Sequence, residues 1–466
     1  MKKQFKAVLS LLLAGCFCGC TQPEVQKQAD EPMVLTFSFW EPGMAHELED
    51  ALQKVADGYE ALHPEVEIQL ISQPVETYQD WIKTRLVADD LPDIESNHNN
   101  DLQSQYRAGL LVDITDMLNA ESPYADGKIW KDTFLEAHLG EQETYYGIPF
   151  FGLSLGIYYN KAIYEALNLQ EPKTWREFLD NCEVIQNAGK LPIAMMAQKD
   201  DACSWIRWYI AGGLFAKRHI NDLQINTDGN QEVSATEANL AYLNGYINIA
   251  TDAEYQEEYR QVIRRMEEYL AYCGGYPGYE ESVAKAMFLS GEAAHIHTGS
   301  WDVKGLMMNE GTDFEVGVFK FPAFTEAESP YAGRTDNLSE QSVGITRTVY
   351  SEEGKLKAAI DFLQYFTSKE VHQSFINDTA HMPVIRDVAF VEGTEAFCAD
   401  GTGIDELLLR GEGHVDMIHQ ILSGEVPELD QAFFEKKQAQ AMHDAQAAVR
   451  AKEANAQTDG GSEHGE

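Results

Sequence analysis

A strand, a helix and a second strand follow one another directly in residues 35–70, and this order constrains the fold more than any other feature. Apolar residues alternate in the first and third segments and recur at helical spacing in the second: Leu35, Phe37 and Phe39; Leu48, Leu52, Val55, Tyr59 and Leu62; Val66, Ile68 and Leu70. Pro64 ends the helix. Because strands joined through a helix pair in parallel, the sequence predicts an α/β protein with ligand loops at the carboxyl ends of its strands.

The alternation of helices and strands continues along the chain. Three segments place a hydroxyl three residues before a carboxylate, the capping-box pattern of a helix start, at Thr174–Glu177, Ser234–Glu237 and Thr367–Glu370. Aromatic-rich strands are predicted at 157–159 and 314–319. The length of 466 residues exceeds the usual size of one hydrophobic core, so we expect two lobes. The formal net charge of -41 excludes nucleic acid and anionic lipid surfaces as partners.

The amino terminus has the pattern of an export signal. Three lysines precede an apolar run over residues 7–14 that is too short to span a bilayer. The run ends in Leu13-Ala14-Gly15-Cys16, which resembles the bacterial lipobox and implies that Cys16 is lipidated after cleavage. An ordinary signal peptide with a chance cysteine is the alternative. We therefore predict a signal peptide over residues 1–15, and a lipidated cysteine with a flexible tether over 16–32 that holds the protein on the extracytoplasmic face of the membrane through its lipid alone.

An ordered set of short segments extends from Val34 to about Asp387. They are Leu91-Pro92-Asp93-Ile94, Tyr106–Leu111 with Asp113, Tyr146–Phe150, Tyr158–Lys161, Pro172–Trp175, Gly291–Ala294, Gly299-Ser300-Trp301 and Phe366–Val371. In this order the chain resembles the family 1 extracellular solute-binding proteins, which include the maltose-binding proteins. The resemblance implies a two-lobed periplasmic-binding-protein-like fold, each lobe a mostly parallel sheet flanked by helices, joined by a multi-stranded hinge. It also implies a sugar-binding, non-catalytic role beside the permease subunits of an ABC importer, without a cofactor.

The same resemblance implies how the chain is divided. Lobe 1 takes residues 33–148 and 336–382, and lobe 2 takes 149–335 and 383–455. Past Lys452 the sequence turns small and polar, so residues 456–466 are predicted to be a disordered tail. The first crossing between lobes lies at residues 147–151, where Gly147, Pro149 and Phe150 are hinge residues; a plain Gly-Pro turn is the alternative. Two more crossings are expected near 331–342 and 381–384. Closure about these hinges would bury the ligand.

Candidate ligand-binding residues follow the first strands. Trp40 and Glu41 come directly after the first strand, where a doubly wound sheet places a ligand loop. The alternative is that Trp40 packs under the lobe and Glu41 solvates the loop. A loop over residues 96–101 concentrates hydrogen-bonding side chains, of which Asn99 and Asn100 are the predicted contacts. An amide-rich turn held by its own caps is the alternative.

In maltose-type relatives this loop carries an aromatic and an acidic residue, and Ser96 and Asn99 stand in their place, which argues against a maltose-like ligand. On the second lobe, the Gly-x-Trp segment of the family implies that Trp301 is a stacking platform, with Asp302 beside it; a core tryptophan is the alternative. Trp205 is a further candidate, and either it or Trp208 is expected to face the cleft.

The same residues also bear on other functional classes. A glycosidase needs two carboxylates across a sugar bond, and no acidic pair stands out. His295 and His297 point to one side of a strand, but no third metal ligand is identifiable, so we predict strand histidines and no metal. No nucleophile elbow, phosphate loop or dinucleotide fingerprint is present. A secreted carbohydrate-active enzyme and a surface adhesin lipoprotein remain the alternatives to a monomeric sugar receptor.

Overall fold

The structure is a computed structural model, and it describes residues 32–41, 47–98, 102, 105–136, 138–139, 144–196, 206–207, 209–214, 235–274, 279–309, 311–330, 332, 338–398, 420–421, 423–425 and 428–459. Strands β1 to β8 are Met33–Glu41, Val66–Pro74, Ile94–His98, Ile148–Asn160, Leu191–Ala194, Ala293–Gly299, Val316–Phe319 and Leu338–Ile345. Helices α1 to α12 are Glu47–Leu62, Val75–Val87, Thr115–Leu118, Lys161–Leu167, Trp175–Asn187, Ala235–Leu243, Ala253–Leu270, Glu281–Leu289, Val303–Leu306, Lys355–Phe366, Lys369–Thr379 and Gln431–Asp459.

The predicted crossover unit is confirmed. β1 and β2 pair in parallel along their whole length, with α1 between them in the chain. The apolar stripe of α1 is buried as the spacing predicts, at Leu48, Leu52, Val55 and Tyr59, whereas Leu62 at its end is exposed. The helix ends two residues before Pro64, as expected from the clash of a proline ring with the preceding turn.

The strands form two sheets that share β4, in the order β2-β1-β3-β8-β4-β6-β5, with β7 also paired to β4. In lobe 1, β1, β2, β3 and the first half of β4 run in one direction, and β8 runs against them. In lobe 2, β5, β6 and β7 share one direction, and the second half of β4 runs against them. The other strands of each lobe point their carboxyl ends at the cleft. β8 enters lobe 1 from the cleft, and β4 enters lobe 2 from the cleft, so each runs opposite to the other strands of the lobe it enters. Each lobe thus has a mostly parallel set of strands and one antiparallel crossing strand.

Each lobe has its own hydrophobic core. The core of lobe 1 includes Phe37, Phe150 and Leu153, together with residues of α1, α10 and α11. The core of lobe 2 includes Leu155 and Ile157, with residues of α5 and α7. The change of core therefore falls between Leu153 and Leu155, on β4, several residues beyond the predicted boundary at 148/149.

The predicted hinge residues lie on the lobe 1 side of that change. A Cβ on Gly147 would be 2.7 Å from the carbonyl oxygen of Val343, so the backbone approaches β8 closely there. The strand register shifts between Pro149 and Phe151. Phe150 is a core side chain, with its ring centroid 5.0 Å from that of Phe366. Aromatic pairs of this kind contribute about 0.5–1.5 kcal/mol beyond area burial, so Phe150 anchors lobe 1.

The two later crossings run beside the first. β8 begins opposite Ser154 of β4, and Met382 forms an isolated bridge with Gly152. Val384 and Ile385, which were assigned to lobe 2, pack into the core of lobe 1. The three passages of the chain therefore lie side by side, which is the arrangement of a multi-stranded hinge.

Two of the predicted helix starts can be compared with the structure. Thr174 caps α5 with both hydrogen bonds of a capping box, as predicted. The box predicted at Thr367 is wrong, because Ser368 is the N-cap of α11. The Thr367 hydroxyl donates to the carbonyl oxygen of Leu363 at 2.8 Å and accepts from the indole of Trp130 at 2.8 Å. That hydroxyl therefore joins two elements of lobe 1 and does not cap a helix.

The last helix extends into the predicted tail. α12 continues to Asp459, into the segment 456–466 that was predicted to be disordered. Its described portion is rich in Ala, Gln, Glu and Lys, which are good helix formers. Within the described ranges, no helix is both long and apolar enough to span a bilayer.

Candidate functional site at the lobe junction

The carboxyl ends of the strands of both lobes meet where β4 crosses. In lobe 1, His98 at the end of β3 pairs with Gln341, which pairs with Phe151 of β4. In lobe 2, Gly299 at the end of β6 pairs with Leu155. Two strand ends from different lobes therefore lie within a few residues of each other along one strand. In open α/β sheets, this edge is where ligands bind.

Trp301 follows β6 at this edge and contacts both lobes. Its partly buried side chain packs against the core of lobe 1 and against the core of lobe 2. The ring lies directly over Gly299, where a Cβ would come within 2.2 Å of ring carbon Cζ3. An amphipathic indole in this position can stack against a ligand in the cleft, or it can join the two cores.

The turn that carries Trp301 is fixed by hydrogen bonds from β4. The buried Tyr158 hydroxyl donates to the carbonyl oxygen of Gly299 at 2.7 Å. The backbone N–H of Ser154 donates to the Ser300 hydroxyl at 3.3 Å, across the point where the core changes. The position of the indole is therefore coupled to the crossing strand.

Asp302 supports the same turn through the hydrogen bonds of its carboxylate. Its Oδ1 accepts from Lys285 at 2.6 Å, and its Oδ2 accepts from the Thr298 hydroxyl at 2.6 Å. Burial raises the pKa of Asp302, because Lys285 offsets only part of the desolvation. Burial acts to lower the pKa of Lys285, but Asp302 and Glu281 outweigh it and raise that pKa. Both carboxylate oxygens are engaged, so the geometry gives Asp302 a structural role and does not favour the predicted ligand contact.

Lobe 1 contributes a row of amide and carboxylate side chains to the same edge, of which Glu95 and Asn97 are buried and Gln79 and Gln105 half-buried. Gln79 of α2 donates to Asn97 at 2.7 Å, and Asn97 donates to Glu95 at 3.2 Å. Gln105 donates to the same oxygen of Glu95. This row was missed from the sequence, although Glu95 and Asn97 alternate along β3 and share one face.

Gln341 joins the central strands of lobe 1 from the opposite direction. Its Nε2 donates to the carbonyl oxygen of Trp40 at 3.0 Å, and its Oε1 accepts from the Ser96 hydroxyl at 2.9 Å. The side chain is fully buried. Ser96, Asn97 and His98 are part of β3 and do not belong to the predicted loop, because they pair with β8 residue by residue.

The remaining predicted residues are placed as follows. Trp40 and Glu41 lie within β1 and do not follow it as predicted, and the Trp40 side chain is 5% exposed, in the core of lobe 1. Trp40 shares a face of β1 with Ser38, whose hydroxyl is 2.9 Å from that of Tyr78, so α2 covers this face. The packing alternative therefore describes Trp40. Glu41 is the last residue of β1. The predictions for Cys16, Asn99, Asn100, Trp205 and Trp208 concern residues outside those that the structure describes.

The two strand histidines of β6 are buried among aromatic rings. His295 is 2.7 Å from the Tyr164 hydroxyl and 2.8 Å from the carbonyl oxygen of Pro192, and burial lowers its pKa to about 4. Burial lowers the pKa of His297 to about 3. Both are therefore neutral at physiological pH, and the contacts of His295 are those of a satisfied core residue.

A cavity of about 850 Å³ opens at the outer end of β4, between α4 and α5. Its polar lining is engaged within the lobe: Tyr159 donates to Glu171, and Asn181 donates to the carbonyl oxygen of Gln170. Only lobe 2 lines it, and it faces away from the edge where the strand ends meet. The lobe junction is therefore the stronger candidate for a ligand site.

The sequence is similar to known proteins and structures. It matches the profile of the family described as bacterial extracellular solute-binding protein over residues 45–373. The multiple sugar-binding protein of Streptococcus mutans serotype c is 22% identical over 371 residues, which cover 78% of this chain and 77% of that protein. A solved chitin oligosaccharide binding protein superposes with a TM-score of 0.63 at 20% identity, covering 88% of this chain and 99% of its own.

The GacH receptor of Streptomyces glaucescens, solved unliganded and with acarbose, superposes with a TM-score of 0.62 at 16% identity, covering 90% of this chain and 98% of its own. These structures share the two-lobed fold described above. Because the family profile spans well over half of the sequence, the chain belongs to the bacterial extracellular solute-binding protein family.

Proposed function

We propose that this protein binds a carbohydrate in the cleft between its lobes and delivers it unchanged to the permease subunits of an ABC importer. We further propose that this carbohydrate is an oligosaccharide. The observation that carries the proposal is the position of Trp301, a partly buried indole at the junction of both cores. Sugars expose flat C–H faces that suit an indole, and hydroxyls that need amides and carboxylates at fixed positions. The row of Glu95 and Asn97 brings such groups to the same edge.

The relatives support the class of ligand. The Streptococcus mutans protein is named for multiple sugars, one of the two structures is named for a chitin oligosaccharide, and the other was solved in complex with acarbose. These similar receptors thus share a carbohydrate as the class of ligand. No catalytic step is proposed, because the role of the family is to bind and release a solute.

We further propose that the protein acts as a monomer on the extracytoplasmic face of the cell membrane, anchored by a lipid on Cys16. The lipobox-like segment Leu13-Ala14-Gly15-Cys16 supports this placement. The polar stretch before β1 would serve as the tether.

The test is a Trp301→Ala variant titrated by calorimetry with mono- and oligosaccharides that raise the melting temperature of the natural protein. Loss of ring stacking should weaken binding at least tenfold, which corresponds to roughly 1.4 kcal/mol. The matched control is Trp175→Ala, because Trp175 is a core residue of lobe 2. That control should lose about 3–5 kcal/mol of stability.

Near-native affinity of the Trp301→Ala variant with a strongly lowered melting temperature would assign the ring to packing and remove it from the site. A changed sugar recovered from the mixture would favour the enzyme alternative. Small-angle scattering adds an independent check, because closure about the β4 crossing should lower the radius of gyration when the sugar binds. An unchanged radius with saturating ligand would contradict the hinge.

A further inference from the structure

The turn that carries Trp301 is closed by a hydrogen bond between the side chains at its two ends. Thr298 lies in β6, and Asp302 directly precedes α9. The Thr298 hydroxyl donates to Asp302 Oδ2 at 2.6 Å, and both side chains are buried. Residues 299–301 therefore form a loop whose ends are joined, so a displacement of the Asp302 carboxylate is passed to the backbone of Trp301.

Lys285 of α8 holds that carboxylate from a separate element. Its Nζ donates to Asp302 Oδ1 at 2.6 Å and to Oε1 of Glu281, one helical turn earlier, at 2.8 Å. The side chains of Lys285 and Asp302 are 14% and 8% exposed. Among the ion pairs of the residues that the structure describes, Lys285 supplies the only cation to Asp302. The position of the carboxylate therefore depends on one charge that α8 contributes.

The burial of Asp302 makes this charge necessary. Burial raises the pKa of Asp302, Lys285 lowers it, and Glu281 adds a smaller rise. Tyr158 of β4 is the remaining titratable group that faces the carboxylate, and it is a neutral phenol, because burial and then the charge of Asp302 raise its pKa. Without Lys285, a charged Asp302 has no cation in a buried site. The carboxyl must then take up a proton, or the turn must move until water reaches it.

We propose that Lys285 is a positioning residue of the sugar site: it sets the affinity for carbohydrate through Asp302 and the turn that carries Trp301. This inference rests on the proposed function, because it takes the Trp301 ring as the surface on which the sugar stacks. Binding groups must be held within about 0.5 Å of their productive place by contacts with their neighbours. The indole packs on the cores of both lobes, so a small shift of the turn changes its exposed face.

The first experiment follows the indole without any sugar. Lys285→Met keeps an unbranched apolar side chain and removes the charge. Near-UV circular dichroism is recorded from about pH 5 to about pH 8, and the Trp301 signal is the difference from the same protein carrying Trp301→Ala. We expect this signal to be native in Lys285→Met at about pH 5, where a buried carboxyl without a cation stays protonated, and to fall by at least about half towards pH 8 as Asp302 ionises. The natural protein should show one signal over this whole range.

Calorimetric titration then measures the effect on binding, with the carbohydrate that raises the melting temperature of the natural protein most. The affinity of Lys285→Met should lie within about threefold of the natural value at about pH 5 and fall at least about tenfold below it at about pH 8. The double variant Lys285→Met/Asp302→Asn contains neither charge, so its affinity should not change with pH.

The matched control is Lys355→Met. Lys355 is also 14% exposed and pairs at 3.0 Å with Asp93, a buried carboxylate before β3, at the end of that strand that points away from the cleft. The control removes the same charge from the same kind of pair, so it should lower stability and leave both the Trp301 signal and the sugar affinity unchanged.

Three results would overturn the positioning role. The first is a Trp301 signal or a sugar affinity that is independent of pH in Lys285→Met, since Asp302 would then not transmit the charge. The second is a pH dependence that persists in the double variant, because another group would then cause it. The third is an equal loss in Lys355→Met, which would assign the effect to general destabilisation.

If Lys285→Met does not fold at about pH 8, Thr298→Val provides the decision, because it opens the turn while Lys285 stays in place. Its sugar affinity should fall at least about threefold, and native affinity would reject the role of the turn. Failure of the proposed function is distinguishable: Trp301→Ala would then bind the sugar as well as the natural protein does, while the circular dichroism result would stand.

Discussion

The sharpest consequence of the lobe-junction geometry concerns Gly299. Its backbone angles of φ -99° and ψ 177° are open to any residue, so a substitution there meets no backbone strain. A Cβ would, however, lie 2.2 to 2.4 Å from three ring carbons of Trp301, well inside van der Waals contact. We expect Gly299→Ala to displace the indole and to cost about 1–3 kcal/mol of unfolding free energy, as overpacking of a fixed site does.

The matched control is Gly305→Ala, on α9 of the same segment. No atom lies within 4 Å of a Cβ built there, so alanine should leave stability unchanged or raise it by up to about 1 kcal/mol through its helix propensity. Denaturant unfolding of both variants gives the free energies, and near-UV circular dichroism reports the surroundings of the indole. Sugar titration of Gly299→Ala should also show weaker binding, since the stacking face would have moved.

A double-mutant cycle isolates the cause. In a Trp301→Ala background no ring opposes the new Cβ, so the cost of Gly299→Ala should fall below roughly 0.5 kcal/mol. If Gly299→Ala proves as stable as Gly305→Ala, or costs the same with and without the indole, the ring does not pack over Gly299 and the described turn is wrong.

Three further outcomes follow from buried charges and from the anchor. Asp302→Ala leaves Lys285, which is 14% exposed, without its main partner, and should cost about 3–5 kcal/mol in chemical unfolding. Asp302→Asn removes the same charge and should cost nearly as much, so a much smaller loss for Asn would contradict a charge effect. Burial lowers the pKa of His372 and of His381 to about 3, below the ordinary value of about 6.5, so unfolding takes up protons and stability falls as the pH drops from about 6.5 towards 3. The His381→Gln variant should lose less stability over this pH range, by up to roughly 1.4 kcal/mol per pH unit. If its free energy of unfolding falls with pH as steeply as that of the natural protein, the lowered pKa of His381 is refuted. Cys16→Ser should abolish metabolic lipid labelling and release the protein from membranes, whereas continued labelling would place the lipid on another cysteine.

The sequence predicted those features of the fold that depend on neighbours in the chain. The crossover unit from β1 to β2 follows from apolar periodicity, and the cap at Thr174 follows from one hydroxyl and one carboxylate three residues apart. Thr367 has the same local pattern but a different role, because the indole of Trp130, distant in sequence, takes part in its hydrogen bonding. Long-range partners of this kind leave no periodic trace.

The candidate site was predicted unevenly for the same reason. Trp301 was identified by its segment, but its contact with both cores depends on where β4 and β6 meet. Trp40 was expected near a ligand because it was predicted to follow the first strand, yet it lies within β1 and α2 covers its face. The buried row at Glu95 and Asn97 is readable as an alternation of polar residues, which is unusual in a central strand.

The crossing strand connects the turn that carries Trp301 to the point where the core changes from lobe 1 to lobe 2. The change of core near Ser154 is where β4 exchanges β8 for β6 as its partner, so bending there disturbs the fewest paired residues. The N–H of Ser154 also donates to Ser300, next to Trp301. A bend at Ser154 must therefore shift the indole, which packs on both lobes. We infer that a sugar seated on Trp301 would alter the same contacts that hold the lobes, so binding and closure would be one coupled event.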